Sequence, residues 1–247
     1  MSLKIISYNI QAGIGTKAYR QYFTQFNRQV FNSKAKAKTL SSIANVLSDY
    51  DIACLQEVDL GGRRAGFKCQ VDQLLNLSDM GHVSTQENRV VGNISRHGNA
   101  ILSNHPQSDI RDLKLPGKRA GRGAIITRVE APRPFYVLNV HLSLGETDQL
   151  QQVDYLAKNV PSDHPLIIAG DFNCGAAARP LTELAATLDM SLLTSPSDKT
   201  YPSWNPRKDF DHILVSSHFN ARTAKVKDVR HSDHRPIEAD LAYQNMG

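Results

Sequence analysis

Nine polar side chains of types that ligate cations and move protons lie at the ends of short apolar runs or in the loops beside them: Asn9, Glu57, Asn99, His141, Asp171, Asn173, Asp211, Asp233 and His234. The carboxylates of Glu57, Asp171 and Asp233, with amide oxygens from Asn9 and Asn173, are hard donors that suit Mg²⁺ or Mn²⁺ better than zinc. Two histidines beside an oxygen-ligated cation suit phosphoester hydrolysis. There a cation neutralises phosphate charge, one group activates water, and donors stabilise the charge that develops. There is no cysteine cluster or HxxxH pair for zinc. GxxxxGK[ST], GxGxxG and GxSxG are also lacking, which removes the main support for NTPase, dinucleotide-enzyme and serine-esterase chemistry. Singly, each residue has a duller role. A strand-end Asp or His is more often a cap or a surface residue, and Gly170-Asp-Phe-Asn173 alone is as good a turn as a site. Nine of them at comparable positions point to one crevice.

The elements that must position them are short and alternate in type. Leu166–Ala169 is an unbroken apolar run that predicts a strand buried on both faces, ending at Asp171 and Asn173. Leu3–Tyr8 leads to Asn9, Ile52–Leu55 to Glu57, and Phe135–Val140 to His141. Gly98–Ser103 carries Asn99, Phe210–Ser216 carries Asp211, and the Ser232–Pro236 loop with Asp233 and His234 runs into a last strand, Ile237–Tyr243. Ala124–Val129 and Phe135–Val140, separated by Pro132 and Pro134, predict neighbouring antiparallel strands. Helical spacing predicts helices over 40–47, 70–77, 148–158 and 181–188. Tyr19, Tyr22, Phe23, Phe26 and Val30 share one helical face of a basic segment at 17–38, expected to pack on the core ahead of lying on a membrane surface or gripping nucleic acid. Two basic glycine loops follow: Gly61–Gly66 with Arg63 and Arg64, and 115–123 with Lys118, Arg119 and Arg122.

Composition narrows the setting. A 40% hydrophobic, 7% aromatic chain of 247 residues is long enough for one large core, with no repeat or linker to divide it. One domain over 1–247 is therefore expected. No apolar run reaches the roughly 20 residues of a membrane span, and the first residues turn polar too soon for a secretory leader. Cys54, Cys69 and Cys174 are odd in number and form no CxxC pair, so a reducing, cytoplasmic setting is expected. Net charge is +5, but residues 1–48 hold seven basic side chains and no acid, leaving −2 for the rest. A polyanion or membrane partner would be drawn to that segment first.

Seven short motifs in order, Tyr8-Asn-Ile-Gln11, Gln56-Glu-Val58, Gly98-Asn-Ala-Ile-Leu-Ser103, Asn139-Val-His-Leu-Ser143, Gly170-Asp-Phe-Asn173, Phe210-Asp-His-Ile-Leu-Val-Ser216 and Ser232-Asp-His-Arg-Pro-Ile237, resemble the endonuclease/exonuclease/phosphatase superfamily of DNase I-like metal-dependent phosphoesterases. The resemblance implies an α/β, four-layer α/β/β/α sandwich of two mostly antiparallel sheets, with the site along one edge. It implies Glu57 as principal Mg²⁺ (or Mn²⁺) ligand with Asn9 and Asp233 nearby, and Asp171 and Asn173 as positioners of water and phosphate. By the same resemblance, Asp211 orients His234, His141 sits on the scissile phosphate, and Asn99 sets the site edge. The proton from water goes to Asp171 or His234.

Departures from subfamily patterns narrow the substrate. Cys174-Gly175 follows the Asp/Asn pair where inositol polyphosphate phosphatases carry Tyr-Arg, and Lys208-Asp-Phe-Asp-His212 stands where they carry Pro-Ala-Trp-Thr-Asp-Arg. Apurinic endonucleases have Gly-Asp-Leu-Asn. Tyr201-Pro-Ser-Trp204 resembles a loop of small bacterial members. The expected activity is Mg²⁺-dependent phosphodiester hydrolysis, with nucleic acid slightly ahead of a phospholipid head group. A phosphomonoesterase and a non-catalytic binding module stand further behind. Arg63, Arg64, Lys118, Arg119 and Arg122 are candidate backbone contacts.

Overall fold

Strands that read as apolar runs occupy the middles of two sheets. The computed structural model describes residues 2–15, 34–118 and 120–244, the side chains of Arg64, Arg222 and Thr223 excepted. In chain order its elements are β1 (Ser2–Asn9), α1 (Lys34–Leu47), β2 (Ile52–Asp59), α2 (Gln70–Leu77), β3 (His82–Val91), β4 (Ser95–Ser103), β5 (Gln107–Leu113), β6 (Gly123–Val129), β7 (Phe135–His141), α3 (Glu146–Asn159), β8 (Leu166–Asp171), α4 (Arg179–Thr187), β9 (Met190–Leu192), β10 (Asp211–Ser216), β11 (Phe219–Val226) and β12 (Ile237–Tyr243). The aromatic face predicted at 19–30, and Arg119, lie outside the described residues. The last five residues of the 17–38 segment belong to α1.

One sheet has the order β11-β12-β1-β2-β4-β3 and the other β5-β6-β7-β8-β10-β9. Each holds one parallel pair, β1 with β2 and β7 with β8, among antiparallel neighbours. The predicted β6–β7 pair is antiparallel in register from Gly123↔His141 to Val129↔Phe135.

The period of two along a strand explains the four layers. On β8, Ile167 and Ala169 join the core between the sheets, whereas Leu166 and Ile168 join the core under α3 and α4. On β2, Ile52 and Cys54 face the middle, whereas Ala53 and Leu55 pack with Leu40, Ile43, Ala44 and Leu47 of α1 and Leu74 of α2. Both faces are dry, so these runs show no polar alternation. The helices follow ordinary rules: α3 carries Glu146 and Asp148 in its first turn and Lys158 in its last, and α4 has Pro180 at its start.

A polar bridge joins the sheets. Asn139 of β7 is fully buried, and its Nδ2 donates to the carbonyls of Leu55 (2.8 Å) and Ala100 (2.9 Å) in the opposite sheet. Its Oδ1 accepts from Gln56 Nε2 at 2.7 Å. Buried amides of this kind are tolerated only when satisfied, and satisfying these requires one relative placement of the sheets.

Close approach inside the second sheet needs Gly170. A Cβ there would lie 2.1 Å from the Val140 carbonyl oxygen, and its φ of +156° is one that side-chain-bearing residues rarely adopt.

Candidate active site

The same period of two brings the site together. Asn9 shares its strand face with Leu3 and Ile5, Asn99 with Ile101, His141 with Val137, Asp171 with Ala169, and Asp211 with Ile213, all of which line the core between the sheets. Each therefore points into the space between the layers, where that core runs out. His141 and Asp171 are register partners across the β7–β8 pair, and Asp171 and Asp211 across β8–β10.

Glu57 breaks the parity. It follows Gln56, whose side chain already faces inward. A second inward residue is possible because Glu57 has φ +55° at a bulge where β2 slips against β4 between Leu55 and Val58. Asn173 is likewise left-handed, at φ +52°. The chain adopts strained backbone at the two places where the end of a strand must turn an acid or amide into the crevice.

A line of polar contacts crosses the crevice floor. Asn9 Nδ2 lies 3.3 Å from Glu57 Oε1 and 3.0 Å from Asp171 Oδ2, tying the first sheet to the second. His234 Nε2 is 3.7 Å from Asp171 Oδ2, and its Nδ1 is 2.8 Å from Asp211 Oδ2. Asp211 also accepts from the Thr200 hydroxyl. Asp171 Oδ1 accepts from the backbone N–H of Asn173 at 3.0 Å, and Asn173 Nδ2 donates to the Leu142 carbonyl at 2.9 Å. His141 Nε2 is 3.5 Å from Asp171 Oδ2 and receives Arg122 Nη1 at 2.7 Å.

Electrostatics separate the two histidines. Burial and then the Arg122 guanidinium push His141 well below the ordinary imidazole range, so it is neutral and accepts from Arg122. Burial pushes His234 the same way, but the carboxylates of Asp211 and Asp171 outweigh it and hold His234 well above that range. Burial raises Asp171 to about 6, against the pull of His234. Glu57 is raised too, by burial and then by the neighbouring Asp233 carboxylate.

The donor chemistry fits a hard cation. The Asp233 carboxylate adds to burial in disfavouring the charge on Glu57, a cost that a bound cation would offset. Asp171, Asp211 and His234 also offer ligand atoms within 4.8 Å of one another, so this buried acidic–histidine cluster has the spacing of a metal site. Cys174, beside Asn173, is no thiolate, because burial pushes its thiol up to about 12.

The predicted residues are not all on the crevice. Glu57, Arg122, His141, Asp171, Asn173, Asp233 and His234 line one cavity of about 490 Å³. Asn99 does not face it. It is fully buried, donating to Gln86 Oε1 at 3.1 Å and the Gly123 carbonyl at 3.0 Å, and so braces the wall from within. Arg63 lies in a short turn after β2 (63–65), outside that lining, and the Arg64 side chain is outside the described residues.

Sequence reasoning passed over Thr200, which holds Asp211, and Tyr201, whose ring tilts over His234 at 4.9 Å. It also passed over Lys208 and Phe210 on the same wall, with the Lys208 ammonium 5.2 Å from the Phe210 ring centroid. The Tyr201-Pro-Ser-Trp204 segment was the one available signal.

Asp209 fastens this wall to the loop after β8. Its Oδ2 accepts the Ala176 N–H at 2.8 Å and its Oδ1 pairs with Lys199 at 2.8 Å. Burial opposes the charge, but these partners prevail and hold the carboxyl below its ordinary range. A depressed carboxyl contributes stability above its unfolded pKa that is lost as pH falls through the folded one. Asp209→Asn is therefore expected to lower unfolding free energy by about 2 kcal/mol at pH 7. The gap from wild type should close toward pH 3, followed by urea melts across pH.

With this geometry in place, comparison with known proteins identifies the class. The sequence model of the Endonuclease/Exonuclease/phosphatase family matches residues 6–234, and the chain belongs to that family. It is thus a hydrolytic phosphoesterase on the DNase I-like fold. YbhP of Escherichia coli K12, an uncharacterized protein, is 28% identical over 267 residues, covering 97% of this chain and 96% of YbhP. An endonuclease/exonuclease/phosphatase from Beutenbergia cavernae superposes with a TM-score of 0.80 at 18% identity, over 99% of this chain and 72% of that one. The catalytic domain of human Nocturnin, solved with a bound sulfate anion, gives 0.74 at 20% identity over 98% and 95%.

Proposed function

We propose that this chain is a Mg²⁺-dependent phosphodiesterase that attacks phosphorus with water, in line with the departing alkoxide, and that its substrate is a nucleic acid strand. The observation that carries the chemistry is the contact line Asp211–His234–Asp171–Asn9–Glu57 across both sheets. Glu57, Asp233 and Asn9 would hold the cation, which when bound neutralises charge on the phosphate oxygens and suits these oxygen donors.

The residues do the rest. Asp171, anchored by the Asn173 N–H, is the carboxylate to which water's proton passes, and His234 shares its charge. Asp211 fixes the His234 tautomer by holding Nδ1–H. Arg122, seated on neutral His141, presents its guanidinium to the equatorial phosphate oxygens. The oxygen of water becomes bonded to phosphorus, the bond to the alkoxide oxygen breaks, that oxygen takes up a proton from solvent water, and Asp171 returns the proton it gained to solvent. Chelation is expected to abolish hydrolysis and Mg²⁺ to restore it. Glu57→Gln should raise the Mg²⁺ concentration for half-maximal rate by about 10–100-fold. An unchanged metal requirement would place the cation elsewhere.

For a nucleic acid strand speak the open crevice, the Tyr201 and Phe210 rings on one wall, and the Lys208, Arg122 and Arg89 cations along it. A phospholipid head group is the second reading, favoured by exposed Val90, Val91 and Ile94 around the β3–β4 turn and exposed Phe67. Cleavage of single- or double-stranded nucleic acid that falls steeply from low to moderate salt supports the first. Hydrolysis confined to phospholipid vesicles supports the second. The free cysteines fit a cytoplasmic setting, which belongs to the same proposal.

A further inference from the structure

The crevice does not end at His141. A second lobe of about 490 Å³ shares Glu57, Arg122 and His141 with the first and continues along the β3–β4 pair. Gly98 lines it, and a Cβ there would lie 2.1 Å from the Gln86 carbonyl oxygen, so a glycine lets β3 and β4 lie this close. Its walls are made of donors. Arg89 and His97 are register partners across β3–β4, and Asn88 sits at the irregularity where β3 slips between Glu87 and Arg89. The Asn88 carbonyl accepts the Gly121 N–H at 3.1 Å, fastening the 115–123 loop and with it Arg122 to this wall.

Two of those donors lack acceptors. Asn88 Nδ2 and Arg122 Nε are buried with no hydrogen-bond partner among the described residues. Buried donors left this way are costly unless something outside the chain accepts from them. Among the described residues neither Arg89 nor Arg122 forms an ion pair with a carboxylate. Glu57, at the junction of the lobes, is the one acid in the lining, and nearby Glu87 is taken by Arg96. The groove then runs on past Lys114 and Lys118, where the acid Asp112 is engaged by Gln86.

We propose that the lobe walled by Asn88, Arg89, His97 and Arg122 is a second phosphate subsite, so that the substrate carries a phosphate flanking the one that is cleaved. This rests on the phosphodiesterase reading for the identity of the first site. It deepens that reading, because a strand with one phosphate per residue meets the condition at every step, whereas a simple diester with one phosphorus does not. Arg89 binds and positions there, away from the reacting atoms.

The test is equilibrium binding by calorimetry of the full chain with Mg²⁺, in the Asp171→Asn background to prevent turnover. The ligands are thymidine 3′,5′-bisphosphate, the two thymidine monophosphates, and a sugar bisphosphate without a base. The bisphosphate is expected to bind at least about tenfold more tightly than either monophosphate. Arg89→Gln and Asn88→Ala should each cut that ratio to about threefold or less, and Arg89→Lys should keep part of it. Circular dichroism melts confirm that each variant is folded. An equal preference for the sugar bisphosphate means that the subsite reads phosphate alone; a preference confined to the thymidine compound means that it also reads the nucleoside.

Equal binding of bisphosphate and monophosphates, or a ratio that survives both substitutions, overturns the proposal. Wild-type hydrolysis of a one-phosphorus diester without any bisphosphate preference removes this subsite and leaves the proposed reaction standing. A bisphosphate preference without any diester hydrolysis does the reverse.

Discussion

Asp171→Asn is expected to lower kcat on a simple phosphodiester by about 10⁴-fold while leaving the protein folded. The substitution is nearly isosteric, so the backbone at the end of β8 and its register with β7 and β10 should persist. The carboxylate's three functions would go together. It accepts from Asn9 Nδ2 and from the Asn173 N–H, and it faces His234 Nε2. An amide retains one acceptor oxygen, presents N–H to the remaining partner, and cannot take a proton from water. The same burial that raises this carboxyl to about 6 means that its charge opposes folding at neutral pH in the metal-free protein. A raised carboxyl pKa costs stability once pH exceeds the unfolded value, so the variant should melt at the wild-type temperature or slightly above it. Steady-state kinetics on bis(p-nitrophenyl) phosphate beside calorimetric melts would check both halves. A kcat within tenfold of wild type would move water activation to another residue.

Gly170→Ala is the corresponding test of the scaffold and is expected to cost more than about 4 kcal/mol of stability. A methyl group at this place would sit 2.1 Å from the Val140 carbonyl oxygen and 2.8 Å from its Cγ2. Neither is the loose end of a long side chain, since the carbonyl belongs to β7, a fully buried strand whose register with β8 sets His141 beside Asp171. Relief would require parting the parallel pair just where the site is made. Urea unfolding should show a lower midpoint, and any folded fraction should have lost activity. Stability within about 1 kcal/mol of wild type would mean that the strands yield at little cost.

What could be seen beforehand divides along the edges of the sheets. The interior strands were legible, most because a run dry on both faces must be apolar and β12 because it alternates, with Glu238 and Asp240 on its wetter face. The four strands that were not anticipated, β3, β5, β9 and β11, are the four sheet edges. Edge strands such as β5, Gln-Ser-Asp-Ile-Arg-Asp-Leu, are half in water and show neither a run nor clean alternation. The acids and histidines of the site were legible along with the interior strands, since each stands at an end of one or in the loop beside it. The exception in detail is Glu57, whose inward aim depends on a left-handed residue and a bulge that no local pattern marks. Asn99 was recognised as belonging to the constellation, but strand-end position does not distinguish a residue at the wall's surface from one buried inside it, where Asn99 lies. Arg89 and His97 escaped notice because they sit on an edge hairpin, and only strand pairing brings them to the crevice.

The two strand orders correspond position by position. Reading β11-β12-β1-β2-β4-β3 against β5-β6-β7-β8-β10-β9 aligns parallel pair with parallel pair, and α1 and α2 with α3 and α4. The two sheets repeat one strand pattern, with the first two strands of one supplied from the far end of the chain as β11 and β12. By register Asn9, paired with Gln56, corresponds to His141, paired with Asp171, so Glu57 lies one residue beyond the counterpart of Asp171 and enters the crevice only through its bulge. Matching frames thus carry unlike side chains, an amide and a carboxylate on one strand pair against an imidazole and a carboxylate on the other, and the crevice between them is polar in makeup though its scaffold repeats.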